Sequence, residues 1–210
     1  MTRIRPYRPD DLDGLYAISL ATGDNGRDAS AAYADPRMVG HIYSAPYATL
    51  APELALVVED DEGVGGYIVG ALDTHAFEQQ LERDWWPALR ARYADPSGTP
   101  PQTWSADQKR AFQIHHPGRT PRRVSEPWPA HLHINLYPRL QGQGWGKALI
   151  DRWLATAAEA GARGVHLGVG AANAGGIGFY RAYGFTEFER LPPPHAVVWF
   201  VIDPRRAAPA

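Results

Sequence analysis

The sequence contains no cysteine in 210 residues, which removes disulfides, thiolate nucleophiles and cysteine-ligated metals together. It lacks any run approaching eighteen consecutive apolar residues, so no membrane-spanning helix is expected. Its opening residues, Met1-Thr2-Arg3-Ile4-Arg5-Pro6, carry no apolar stretch of the signal-peptide kind. Neither sign of charge dominates: 21 Lys+Arg against 23 Asp+Glu give a formal net charge of -2. Such a balance offers no broad basic field to nucleic acid or an anionic membrane. There are no internal repeats. These absences predict a soluble, cytoplasmic protein. The length predicts one domain over 1–203 with a sizeable core, followed by a disordered Ala/Pro tail, 204–210.

What is present concentrates between His131 and Ala158. Leu132, Ile134 and Leu136 alternate with His131, His133 and Asn135, the period of a strand with one apolar and one polar side. After Tyr137-Pro138-Arg139, the run Gln141-Gly142-Gln143-Gly144-Trp145-Gly146 leads into a helix. Its apolar positions Leu149, Ile150, Trp153, Leu154 and Ala157 recur at three and four residues. Glycines before a helix let the main chain turn tightly and approach a ligand, and the unpaired amides of the first turn face whatever lies ahead. A pyrophosphate fits that description, as does an ordinary strand-to-helix turn that uses glycine. The run matches neither G-x-G-x-x-G nor the G-K-[ST] ending of a P-loop.

Along the rest of the chain, Ile4 to Arg8 reads as an edge strand and Leu12 to Leu20 as a helix opened by Pro9-Asp10-Asp11. Thr22 to Asp28 is a polar loop, and 36–53, interrupted by three prolines, is irregular or briefly helical. Leu54–Val58 and Val64–Leu72 form a hairpin across Asp60-Asp61-Glu62-Gly63. The spacing of Phe77, Leu81, Trp85, Trp86, Leu89 and Tyr93 predicts one helix over 75–93. A second helix is predicted over 105–115 and an extended connector over 117–129, so 75–129 reads as an insertion. A strand at 164–169, a helix after Asn173, and strands ending at Arg190 and Ile202 follow. The fold class is therefore α+β (mixed α/β), a central mixed sheet of about seven strands with a parallel centre, flanked by helices. His131-x-His133, even with His115 and His116, lacks a third ligand at a fitting spacing, so no metal is expected.

These residues resemble the GNAT superfamily, the Gcn5-related N-acetyltransferases. The acyl-CoA motif Gln/Arg-x-x-Gly-x-Gly/Ala is met by Gln141, Gly144 and Gly146. An Asn followed seven residues later by Tyr is met by Asn173 and Tyr180, and Tyr183-Gly184-Phe185 is similar to the aromatic-Gly-Phe that follows. Gly176 stands where alanine is usual. The run from His131 with Gly70-Ala71-Leu72-Asp73-Thr74 and the Trp/Tyr-rich insertion is also similar to the acetyltransferase-like C-terminal domain of O-GlcNAcase and its bacterial single-domain relatives.

The resemblance implies acetyl-CoA as co-substrate and direct acetyl transfer to a primary amine, small molecule or peptide. The acceptor is unassigned and a homodimer is left open. The pantetheine arm would pair with the main chain around Leu136. The turn comprising Gln141, Gly142, Gln143, Gly144, Gly146 and Lys147 would hold the pyrophosphate, with the Lys147 ammonium either near the phosphates or in water. Asn173 would bind the cofactor arm or cap its helix. Tyr180 would donate to the leaving thiolate. Asp73 and His133 are the candidate bases, and Asp24 and Asn25 the candidate acceptor-site residues. Without cysteine there is no thiol to carry an acyl group. The rival expectation is a non-catalytic acyl-CoA-binding or protein-interaction domain, with Trp85, Trp86, Trp104 and Trp128 on a partner surface.

Overall fold

A computed structural model describes residues 1–193 and 196–206. In chain order the strands are β1 (Arg3–Pro6), β2 (Leu56–Asp60), β3 (Gly63–Ala71), β4 (Ala130–Leu136), β5 (Val165–Gly170), β6 (Thr186–Arg190) and β7 (Val197–Ile202). The helices are α1 (Leu12–Ala21), α2 (Gly40–Tyr43), α3 (Ala45–Leu50), α4 (Thr74–Asp84), α5 (Trp86–Arg92), α6 (Ala106–His115), α7 (Arg122–Ser125), α8 (Trp145–Glu159) and α9 (Ala174–Tyr183). One seven-stranded sheet runs in the order β1-β2-β3-β4-β5-β7-β6. Every neighbouring pair is antiparallel except β4 and β5, so the expected parallel centre is a single pair.

The sheet separates two cores. On one side α8 and α9 bury Leu149, Ile150, Trp153, Leu154 and Ile177 against Leu132, Val165, Leu167 and Phe200. On the other, α1 and α3 to α6 bury Leu15, Ile18, Tyr47, Phe77 and Ile114 against Val57, Tyr67 and Val69. The alternation of β4 is what divides its residues between these layers. Gly70 is a packing requirement: a Cβ there would stand 2.4 Å from the Trp153 ring and 2.2 Å from His131 O. The glycines that weaken β3 as a sequence pattern thus make room for its neighbours.

Three expectations change. The helix predicted over 75–93 is two helices, because Pro87 has no N–H to continue the ladder and the chain breaks at Trp85 (φ -120, ψ -57). The connector 117–129 contains the short helix α7, whereas 36–53 is briefly helical as expected, in α2 and α3. Pro204–Arg206 form a 3-10 turn, so order extends past the predicted start of the tail; 207–210 lie outside the described residues. Among the described residues no helix is long and apolar enough to cross a membrane.

Candidate active site

β4 and β5 pair only at Ala130 with Val165 and His131 with His166. Beyond these residues each strand keeps its outer partner, β3 or β7, while their facing edges part. Strand groups alternate in direction. Ala130 N donates to Gly164 O across the fork, and Tyr137 N donates to Gly65 O on the β3 side. The main-chain groups of Ile134 and Leu136 therefore face the opening. Gln141 Nε2 donates to Leu136 O at 2.9 Å, which leaves the Leu136 N–H and both groups of Ile134.

At the mouth of this fork lies the glycine turn. Gly142 (φ 71) and Gly144 (φ 85) are left-handed, with nothing within 4 Å of a Cβ at either, so backbone conformation rather than space selects glycine. At Gly146 it is space: a Cβ would meet the Phe179 ring at 3.2 Å. Gln141 N donates to Pro138 O. Among the described residues nothing accepts from the main-chain N–H groups of Gly142, Gln143, Gly144, Gly146 or Lys147. These groups converge at the N-terminus of α8, whose dipole adds to their attraction for an anion. The side chains of the turn are spent elsewhere: Gln143 Nε2 on Arg139 O at 2.6 Å, Lys147 Nζ on Asp151 at 2.6 Å.

Fork and turn open into one cleft of about 1580 Å³ that continues to the insertion. Its centre holds a directional chain of hydrogen bonds. The Thr74 hydroxyl donates to Pro129 O at 2.7 Å; a carbonyl can only accept. Thr74 Oγ1 must then accept from His131 Nδ1–H, 2.7 Å away. His131 Nε2 is left as acceptor for the Tyr47 hydroxyl at 2.9 Å, and Tyr47 Oη accepts from His133 Nε2–H at 3.1 Å. The unprotonated atom of His133 is thus Nδ1, which has no partner among the described residues and is not sealed from solvent. Burial holds the His133 imidazole neutral, pulling its pKa down to about 4, with nearby His166 adding to the shift. Burial likewise lowers His131 and His166. His166, at the apex of the fork, donates Nδ1–H to Trp128 O.

The structure gathers His133, Asn173, Tyr180, Asn25 and the glycine turn on this cleft and leaves others outside. Asp73 does not line it; exposed, it caps α4 by accepting from Ala76 N at 2.9 Å. Asp24 pairs with Arg27 at 2.9 Å and does not line it either, whereas Asn25 (φ 52) does. Asn173 caps α9 through Gly176 N at 2.9 Å. The Tyr180 hydroxyl has no hydrogen-bond partner among the described residues, and burial raises its pKa well above 10. Tyr47, Thr74, His131, His166 and Arg110 also line the cleft; only the polar side of β4 marked any of them in the sequence. Among the described residues no cluster of three or more His, Asp or Glu side chains could hold a metal ion.

Comparison with known proteins places this geometry. The crystal structure of SsHAT is 35% identical, with a TM-score of 0.85 covering 97% of this chain and 98% of that one. The yncA protein from Salmonella typhimurium, a putative acetyltransferase solved with its cofactor acetyl-CoA, shares the fold at 16% identity and a TM-score of 0.56, over 96% of this chain and 93% of that one. Protein O-GlcNAcase from Rattus norvegicus is 22% identical over 189 residues, 90% of this chain but 20% of the relative. The chain thus spans about a fifth of the length of that curated relative. The acetyltransferase (GNAT) family profile matches residues 32–185, and the chain belongs to that family.

Proposed function

We propose that the protein is an acetyl-CoA-dependent N-acetyltransferase that passes the acetyl group directly to a primary amine. The observation that carries this reading is the set of N–H groups between Gly142 and Lys147 that have no partner among the described residues, beside the open edges of β4 and β5. The residues fit the cofactor in kind: amides and a helix terminus for a pyrophosphate, strand groups of Ile134 and Leu136 for an amide-bearing arm. When bound, acetyl-CoA supplies an activated acyl carbon and a thiolate leaving group.

The chain's residues supply the proton handling. His133, with a pKa of about 4, is too weak to strip an ammonium of pKa about 10.4, a step about 9 kcal/mol uphill. The amine therefore arrives neutral, and His133 Nδ1 takes its proton as the C–N bond forms and the C–S bond breaks. Asp73, outside the cleft, takes no part. Tyr180 is a poorer acid than a thiol of pKa about 8.5, so it donates a hydrogen bond to the departing sulfur rather than its proton.

Isothermal titration with acetyl-CoA, followed by release of coenzyme A across an amine panel, tests this. Binding with amine-dependent release is expected. Binding without release on any amine would favour the non-catalytic reading, and no binding would remove both.

A further inference from the structure

Among the charged side chains lining the cleft, most are already matched. Arg27 pairs with Asp24 at 2.9 Å, Lys147 with Asp151 at 2.6 Å, and Glu82 with Arg90 at 2.8 Å. Glu78 accepts from Thr120 N at 2.8 Å through Oε1, and its Oε2, sealed from solvent and without a hydrogen-bond partner among the described residues, lies 3.7 Å from His75 Nδ1. Arg110 and Arg119 also line the cleft, and neither has a carboxylate within 4.0 Å among the described residues.

Arg110 is the better placed. It is half-buried, and its guanidinium is fixed from three directions: Nε donates to Tyr33 Oη at 3.0 Å, and Nη1 donates to Tyr43 Oη at 3.1 Å and Gln113 Oε1 at 2.8 Å. The same guanidinium lies 5.2 Å from the centre of the Tyr43 ring. Both N–H bonds of Nη2 are left without a partner among the described residues, and that nitrogen is not sealed from solvent. Withdrawing a cation from water without a counter-ion costs several kcal/mol, and a pre-oriented guanidinium edge matches a carboxylate or phosphate. Tyr43 also touches His133, ring centres 5.6 Å apart, so the free edge and the base share one end of the cleft.

We propose that the acceptor carries an oxyanion, a carboxylate or a phosphate, that docks on Arg110 Nη2 while its amine faces His133. Arg119, exposed on the loop after α6, adds longer-range attraction. The two ring contacts put the guanidinium carbon within about 11 Å of the His133 ring, a span suited to an amine and an anion separated by several bonds. This assignment of acceptor class rests on the acetyltransferase reading of the same cleft.

The test uses two pairs of probes of matched length: 6-aminohexanoate against 6-aminohexanamide, and 5-aminopentyl phosphate against 5-aminopentanol. Each is titrated calorimetrically into protein saturated with coenzyme A, so that the glycine turn is filled. At least tenfold tighter binding of the anionic member is expected in one pair or both, and the pair that shows it distinguishes carboxylate from phosphate. Arg110→Gln should abolish the preference. Arg110→Lys, which keeps the charge but not the fork, should lower it severalfold, and it carries the test if circular dichroism shows Arg110→Gln unfolded. Equal affinity within both pairs, absence of binding included, overturns the proposal, as does a preference that survives both substitutions. Coenzyme A saturation is read first. Its failure would count against the acetyltransferase reading, while the Arg110 comparison, run on the free protein, is decided separately.

Discussion

The two ends of the cleft offer different kinds of contact. At the α8 end the contacts on offer are main-chain N–H and C=O groups of Ile134, Leu136 and Gly142–Lys147, while the side chains of Gln141, Gln143 and Lys147 turn to internal partners. At the insertion end they are side chains, brought together from α3, β4, α4 and α6: Tyr47, His133, Thr74 and Arg110. One is a surface of backbone set by φ at Gly142 and Gly144 and by space at Gly146; the other is a set of particular functional groups. Mutation should therefore act at the first end through conformation and at the second through chemistry.

The largest effect on binding is expected at Gly144. A valine there would hold a β-branched residue at φ 85, a strain of about 1–2 kcal/mol that the turn relieves by moving its amides. Gly144→Val should weaken coenzyme A binding by at least about a hundredfold, since two or three charge-assisted hydrogen bonds of about 1.5–3 kcal/mol each lose their geometry. Its melting temperature should fall by only a few degrees, because nothing lies within 4 Å of the new Cβ. Calorimetry with thermal melting reads both, and tight binding by this variant would remove the phosphate assignment of the turn.

Next comes His133. Its replacement by alanine should lower kcat by roughly 10²–10⁴-fold, the range of general-base help, with coenzyme A affinity unchanged. The pH profile is specific: kcat/KM should rise toward the acceptor amine's own pKa and show no acid limb near 6.5, because the imidazole stays neutral down to about 4. The same depression makes acid destabilising. Between about pH 6.5 and 4 the unfolded chain binds more protons at this histidine than the folded one, so stability is present above that window and falls through it. The loss is up to about 1.4 kcal/mol per pH unit for each such histidine.

Thr74 is a smaller and sharper case. Thr74→Val removes the oxygen that accepts from His131 Nδ1–H and leaves a buried donor unpaired, at about 1–3 kcal/mol. Imidazole relieves that by moving its proton to Nε2, which turns the Tyr47 hydroxyl toward His133 and puts the His133 proton on Nδ1, the atom proposed as base. A roughly tenfold lower kcat is expected, with nitrogen NMR of His133 reporting the exchanged tautomer and Thr74→Ser restoring both. A kcat loss with unchanged tautomers would mean that Thr74 serves packing alone.

This contrast also explains what could be read from the sequence. The seven-stranded sheet and the glycine turn between β4 and α8 are legible because period, glycine and helix start are local signals. Asp73 is ambiguous in the sequence because an aspartate before a helix carries the same signal whether it caps or catalyses; in the structure it caps α4 and does not line the cleft. Tyr47 and Thr74 could not be found: their partners His133 and His131 lie 86 and 57 residues away, and no spacing records such a meeting. Pro87 stands in the sequence, but the apolar period that continues on either side of it hides the break.

The smallest effect should be at Tyr180, for an energetic reason. The leaving thiolate needs little help, since an ordinary thiol has a pKa of about 8.5, and burial has moved the Tyr180 hydroxyl well above 10. Complete proton transfer from this phenol to sulfur would run uphill by more than 2 kcal/mol, so only a hydrogen bond in the transition state is left for it to give. Tyr180→Phe removes that bond alone and preserves the ring contacts with Phe179, Phe185 and Phe200. A hydrogen bond contributes about 0.5–1.5 kcal/mol net, which corresponds to a roughly two- to twelvefold fall in kcat. A fall beyond a hundredfold would mean that Tyr180 delivers its proton outright, and the burial that now argues against it would have to be relieved when the thioester enters the fork.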